Sequence, residues 1–222
     1  PLYTLVLRSD LSRRVRRVAD LRGLNIGVFS NSLAVKTTSQ LVAELLLSTH
    51  GLTTRDINFI PAGQTWESQA AMMRSRLVDA SLCDEPFATR LVTEKLGTVM
   101  FSLGNPKEAA ALPGGQFLRA ALISRRDQVE GDPEMAGRVV RAIRRTLQWM
   151  AVRKPAEVAD ALDLSGAERQ SFLSVAMQYP RQFSRTGYFS RRQLVETNNF
   201  FRRLAPSDAR AQQYDVENMI EA

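Results

Sequence analysis

Between Leu24 and Ser102 the chain alternates four short β-rich runs with three helical ones, and this alternation limits the fold more than any other feature. Leu24–Phe29, Ile57–Ile60, Val78–Cys83 and Thr98–Ser102 are apolar or β-branched runs of strand length, bounded by turn residues. A run from Leu33 to His50 carries Val35, Leu41, Val42, Leu45 and Leu46 as an apolar stripe. A second carries Trp66, Ala70, Met73 and Leu77, and a third extends from Phe87 to Lys95. Gly51 and Gly97 stand where glycine ends a helix, and Pro86 stands where proline opens one. Strands and helices in this order build an open α/β sheet whose parallel strands are joined by right-handed crossovers.

The flanks read differently. Leu2–Leu7 is a β-rich run with neither a charged leader nor a small-residue cleavage site, so it is expected as a strand. Arg8 to Leu21 is polar and basic. Leu103 to Gly115, rich in glycine and proline, is expected as a loop, and Phe117–Ser124 as a further strand. Beyond it the pattern is helical. Asp132-Pro133-Glu134 opens a helix with Ala136, Val139, Val140, Ile143, Leu147 and Met150 on one face and Arg138, Arg141, Arg144 and Arg145 on the other. Further helices are expected from Pro155, over Gly166–Met177 and over Ser190–Leu204, before a polar tail from Ser207 to Ala222.

Composition narrows the function classes. With 44% hydrophobic and 24% charged residues in 222, the chain can bury a core without staples, which excludes disorder and membrane spanning. A single cysteine, Cys83, excludes an internal disulfide. The net charge is +7, and all but four of the 30 basic residues are arginine. The arginine doublets are scattered and interleaved with acids, and no zinc spacing or aromatic RNA-binding run accompanies them. Solvated faces are therefore expected, and no nucleic acid.

Five segments carry a family resemblance: Pro1-Leu-Tyr-Thr-Leu-Val-Leu-Arg8, Asp20-Leu-Arg-Gly-Leu-Asn-Ile-Gly-Val28, Val78-Asp-Ala80, Glu85-Pro-Phe-Ala-Thr89 and Ala120-Ala-Leu-Ile-Ser-Arg-Arg-Asp127. Their order and spacing resemble the solute-binding proteins of nitrate/sulfonate/taurine-type ABC importers, a family that includes pyrimidine-precursor binders. The resemblance covers Pro1 to Met150. It implies a type-2 periplasmic-binding-protein fold, in which two α/β lobes joined by crossing strands close on a small solute. On that mapping residues 21–104 form a complete second lobe. Residues 1–20 and 105–222 form a partial first lobe with the crossing strands and the C-terminal helices, lacking the lobe's N-terminal part, which a further segment or chain would supply. The resemblance further implies a small-molecule solute, an ABC permease as partner, an extracytoplasmic location, no cofactor and no catalysis. Two other roles share such a fold: the effector-sensing domain of a transcription regulator, and a thiamine-precursor synthase-like enzyme.

Three polar turns are the candidate ligand-binding residues, because ligands of open α/β sheets bind outside the carboxyl ends of strands. Ser30, Asn31 and Ser32 offer hydroxyls, an amide and helix N–H groups for an oxyanion, and Gln64 and Thr65 offer the same after the next strand. Asp84 and Glu85 would accept hydrogen bonds from a ligand amine or a loop donor. Each has a plainer reading as capping chemistry, and Glu85 as a complement to a helix dipole. Trp66 reads as core, His50 as a helix-end cap and Cys83 as a buried small side chain. No nucleophile elbow, phosphate loop, His-Glu-x-x-His or paired-cysteine motif is present, so neither catalytic nor metal-ligating residues are expected.

Overall fold

The structure is a computed structural model that describes residues 2–180, 182–205, 209–213 and 215–220. The chain forms two compact units, Pro1–Phe117 with Arg192–Ala222, and Leu118–Arg191. In chain order the strands are β1 (Thr4–Arg8), β2 (Asn25–Val28), β3 (Asn58–Pro61), β4 (Ala80–Cys83) and β5 (Gly97–Ser102). The helices are α1 (Thr38–Thr49), α2 (Trp66–Arg74), α3 (Phe87–Thr93), α4 (Pro106–Ala111), α5 (Arg126–Gly131), α6 (Pro133–Ala151), α7 (Pro155–Ala161), α8 (Gly166–Gln178), α9 (Arg191–Leu204) and α10 (Ala209–Gln213).

All five strands belong to the first unit and form one sheet in the order β3-β2-β4-β1-β5. β2 runs parallel to β3 and β4, whereas β1 runs antiparallel to β4 and β5. Side chains alternate across the sheet, so β1 sends Leu5 and Leu7 to one face and Val6 to the other. On the first face Val42, Leu45 and Leu46 of α1 cover Leu5, Leu7, Ile26 and Leu82. On the second face Ala70 and Met73 of α2 and Ala88 and Leu91 of α3 cover Val6, Val78 and Cys83. Each fully buried leucine contributes about 1.5–3 kcal/mol relative to exposure. β1 and β5 approach closely at Gly97, where a Cβ would collide with Val6 and with the Leu7 carbonyl.

Several expectations are corrected here. The helix expected from Leu33 begins at Thr38. Ser39 Oγ accepts the Phe29 N–H at 2.9 Å and bonds the Thr37 hydroxyl at 3.0 Å, so the local polar side chains hold residues 31–37 out of the helix. Val35 is consequently 77% exposed. Leu77 also leaves its stripe, because α2 ends at Arg74 and Arg76 adopts a left-handed φ of 60°. The expected loop of residues 103–115 contains α4, which Asn105 caps by accepting the Lys107 N–H at 3.0 Å ahead of Pro106 at the first helical position. Phe117–Ser124 forms no strand: Phe117 stacks on Phe200 at 4.1 Å, and Ile123 is 85% exposed with no ladder partner. A β-rich run becomes a strand only where an edge is free to pair with it.

β1 is hydrogen-bonded on both sides within the sheet of residues 25–102. Residues 105–117 and α9 also belong to that unit, where Glu196 accepts the Gly114 N–H at 3.0 Å. The two compact units divide the chain between residues 117 and 118 and between 191 and 192.

The second unit consists of α5 to α8. Its buried apolar side chains, among the described residues, are Val158, Ala159 and Val175. α6 is capped by Asp132, which accepts the Met135 N–H at 2.9 Å, and its 19 residues include none that is buried. Of the polar tail, Ser207, Asp208, Tyr214, Glu221 and Ala222 lie outside the described residues. No described helix is long and apolar enough to cross a membrane.

Candidate functional site

The carboxyl ends of β2, β3 and β4 share one edge of the sheet, since Val28 lies opposite both Pro61 and Leu82. The antiparallel β1 brings its beginning to the same edge, with Thr4 opposite Cys83 and Ser102. The three polar turns follow directly from these strand ends.

The first two turns are joined. The Gly63 N–H donates to the Ser30 carbonyl at 2.8 Å, and Asn31 Nδ2 donates to Gln64 Oε1 at 3.1 Å. Ser30 is buried; its hydroxyl donates to the Ser32 carbonyl while its Oγ accepts the Ser32 N–H at 3.1 Å. Ser32 Oγ accepts the Ala34 N–H at 3.1 Å. The helix N–H groups expected at Ser30-Asn31-Ser32 are absent from that position because α1 starts at Thr38. Thr65 Oγ1 accepts the Ser68 N–H at 3.3 Å, so that hydroxyl serves as the cap of α2.

Beneath this pair lies a support that the sequence reading missed. Gln69, fully buried, donates through Nε2 to the carbonyls of Ala62 (3.2 Å) and Gly63 (2.8 Å), and its Oε1 accepts the Ser81 hydroxyl at 2.8 Å. The signal was available: Gln69 is a polar residue at a core-facing position of α2, three residues after Trp66. A buried amide that satisfies two loop carbonyls holds the second turn against the sheet.

The third turn is built differently. The Asp84 carbonyl accepts the N–H groups of Phe87 (3.0 Å) and Ala88 (3.1 Å), which fixes the start of α3. The Asp84 side chain is half-buried, and its Oδ1 is buried with no hydrogen-bond partner among the described residues. Burial pushes its pKa up to about 6, the negative charge of Glu85 acting in the same direction. Glu85 Oε2 accepts the Thr89 N–H at 3.0 Å, which is the helix-complementing role. Behind this turn, burial raises the Cys83 thiol well above its ordinary range, with the charges of Glu85 and Asp84 adding to the effect.

Aromatic side chains flank the edge. Phe29 and Phe87, both half-buried, have ring centroids 5.9 Å apart, and Phe87 lies 6.3 Å from Trp66. Trp66 is buried as expected, and the Arg90 guanidinium sits 3.9 Å from its ring centroid. His50 caps the end of α1, with Nδ1 and the Leu46 carbonyl in hydrogen-bond contact at 2.9 Å. No group of three or more metal-ligating side chains converges among the described residues. The edge thus presents hydroxyl and amide groups at β2 and β3, and a desolvated carboxylate with aromatic neighbours at β4.

No protein-family model matches the chain, and no curated protein matches it in sequence. Solved structures do share its fold. A protein of Bordetella bronchiseptica RB50 matches with a TM-score of 0.79 at 19% identity, over 96% of this chain and 66% of its own. The alkanesulfonate-binding protein SsuA from Xanthomonas axonopodis pv. citri, bound to MOPS, matches at 0.60 and 16% identity, over 88% of this chain and 61% of its own. The desulfurization enzyme DszB, in a mutant form with biphenyl-2-sulfinic acid, matches at 0.56 and 17% identity, over 96% and 71%. The chain thus spans less than two thirds of the length of the Xanthomonas protein and 66% of the Bordetella one. The fold is the mixed α/β fold of the SsuA-type periplasmic binding proteins.

Proposed function

We propose that the chain is the solute-capturing component of an ABC importer, acting outside the cytoplasm. In this reading it binds a small anionic or zwitterionic organic solute at the carboxyl edge of β2, β3 and β4. The observation that carries the reading is the joining of two polar turns by the Asn31–Gln64 and Gly63–Ser30 hydrogen bonds, which gathers donors at the edge where open α/β sheets receive ligands. The likeness in fold to the SsuA-type proteins supports it.

Asn31, Ser32 and Gln64 supply hydroxyl and amide donors to the oxyanion, Ser30 orders the first turn by donating to the Ser32 carbonyl, Thr65 orders the second through its cap, and Asp84 and Glu85 supply acceptors beside them. Because Gln69 holds the second turn in place before any solute arrives, little ordering cost remains at binding. A solute moves such a protein toward its closed form only by its differential affinity for that form, and the closed form is what a permease would receive. Binding rather than catalysis is supported by the titratable candidates: Cys83 is buried with a raised pKa, and His50 is committed to a helix end.

Isothermal titration of the full chain with a panel of sulfonates, taurine, nitrate, aromatic acids and pyrimidines tests the reading. Saturable heat is expected from at least one organic anion, weakened roughly tenfold or more in Asn31→Ala combined with Gln64→Ala. Absence of heat and of thermal shift with every member of the panel overturns it.

A further inference from the structure

We infer that Asp84 is a specificity-determining residue of this edge, selecting solutes that carry a cationic nitrogen next to their anionic group over simple anions. The inference rests on the binding reading above and deepens it.

The first argument is hydrogen-bond accounting. Ser30, Asn31, Ser32, Gln64, Thr65 and Glu85 all have partners within the chain, but Asp84 Oδ1 is buried without one among the described residues. A carboxylate oxygen taken out of water with no donor is destabilising, and a cation brought to the still accessible part of the side chain offsets that cost. The second argument is placement. The Asp84 carbonyl is held by two N–H groups of α3, so the residue stands at a fixed point of the edge. The end of β4 lies one strand spacing, about 4.8 Å, from the end of β2, and the Ser30-Asn31-Ser32 turn begins two residues beyond that end. That is the reach of a two- or three-carbon bridge between an ammonium and an oxyanion. The third is the ring pair: Phe29 and Phe87 retain exposed surface beside this point, and aromatic faces attract cations. The Trp66 face is already taken by Arg90, whose charge is also paired with Glu94 at 3.2 Å. A simple anion at the same edge gains from the first two turns and is repelled by Asp84 and Glu85.

Burial pushes the Asp84 pKa up to about 6, with the charge of Glu85 acting in the same direction. The residue is therefore ionised at pH 8 and mostly protonated at pH 5, and the preference for a cationic nitrogen follows that titration.

The experiment is calorimetric titration of the full chain with a matched pair of probes, 3-aminopropanesulfonate and propane-1-sulfonate, at pH 8 and pH 5. The expected result is a preference for the amine of roughly tenfold or more at pH 8, shrinking severalfold at pH 5. In Asp84→Asn the preference at pH 8 falls to within about twofold. Thermal melting of that variant checks its fold, and the wild-type pH profile gives a readout that needs no variant. Equal affinities at pH 8, or a preference retained in a folded Asp84→Asn, overturns the inference, as does binding of other panel members with neither probe bound. Tighter binding of propane-1-sulfonate than of the amine at pH 8 overturns it too, because an ionised Asp84 then selects no cation. Silence of the whole panel overturns the binding reading itself, a different outcome from any of these.

Discussion

The two units of this chain are built from helices of similar pattern and bury them to very different degrees. In the sheet unit, α1 places Val42, Leu45, Leu46 and Leu47 at no more than 2% exposure, because a sheet lies against the stripe. In the helical unit, α6 has the stripe that the sequence shows, yet Val139, Val140 and Ile143 are each about two-fifths exposed and no residue of the helix is buried. An amphipathic pattern specifies which face seeks cover and says nothing about whether cover is present. Charge behaves likewise: the α6 arginines engage neighbours of their own unit, Arg138 with Glu134 and Arg144 with the Tyr188 ring at 4.4 Å.

The largest expected test of this contrast is a pair of core truncations. Leu5→Ala, at a residue 1% exposed between two neighbouring strands, should cost about 2–5 kcal/mol in urea denaturation, while Ile143→Ala should cost under about 1 kcal/mol. Equal losses would show that α6 is as well packed as the sheet.

A smaller effect separates the acids of the two units by sign. The folded-state pKa of Asp84 is raised from 3.8 to about 6, so its favourable contribution is complete below about pH 4 and is lost as pH rises through 6. Asp84→Asn should therefore be more stable than the wild type at pH 8 by about 1–3 kcal/mol, with the difference vanishing toward pH 4. Glu157 in the helical unit is lowered, first by the Lys154 N–H and then by Arg153, so its contribution is present at neutral pH and is lost on acidification. Denaturation of Asp84→Asn and Glu157→Gln across pH 3 to 8 should give opposite slopes, and parallel slopes would erase the distinction.

The smallest effect should not distinguish the units at all. Thr65→Ala removes the cap of α2 and Asp132→Ala that of α6, and each should cost about 1 kcal/mol, because a cap satisfies N–H groups of its own first turn wherever the helix lies. Circular dichroism with denaturant titration of both variants checks this. A much larger loss at Thr65 would mean that its hydroxyl also holds the ligand edge together.

Much of the fold was legible along the chain. β2 to β5 and α2, α3 and α6 to α9 arise where runs of the right period meet turn residues, which are local facts. α4 was hidden because Asn105-Pro106 reads equally as a turn and as a capped helix start, and the hydrogen bonds decide between them. The candidate site was half legible. The three turns follow from strand ends, but their joining through Asn31 and Gln64, 33 residues apart, is a contact that no local pattern contains. Gln69 was visible as a misplaced polar residue, and what it satisfies was not.

By itself the sequence determined the alternation of strands and helices, the caps, the apolar stripes and the residue types available at each strand end. These depend on neighbours within a few positions, where backbone propensity and side-chain capping act. Only the tertiary structure decided that β1 runs antiparallel between β4 and β5, that Phe117 to Ser124 stays out of any sheet, and that Asp84 Oδ1 is buried with no hydrogen-bond partner among the described residues. Strand pairing, burial and the pKa of a carboxylate are set by groups distant in the chain and adjacent in space, so they exist only once the sheet has assembled.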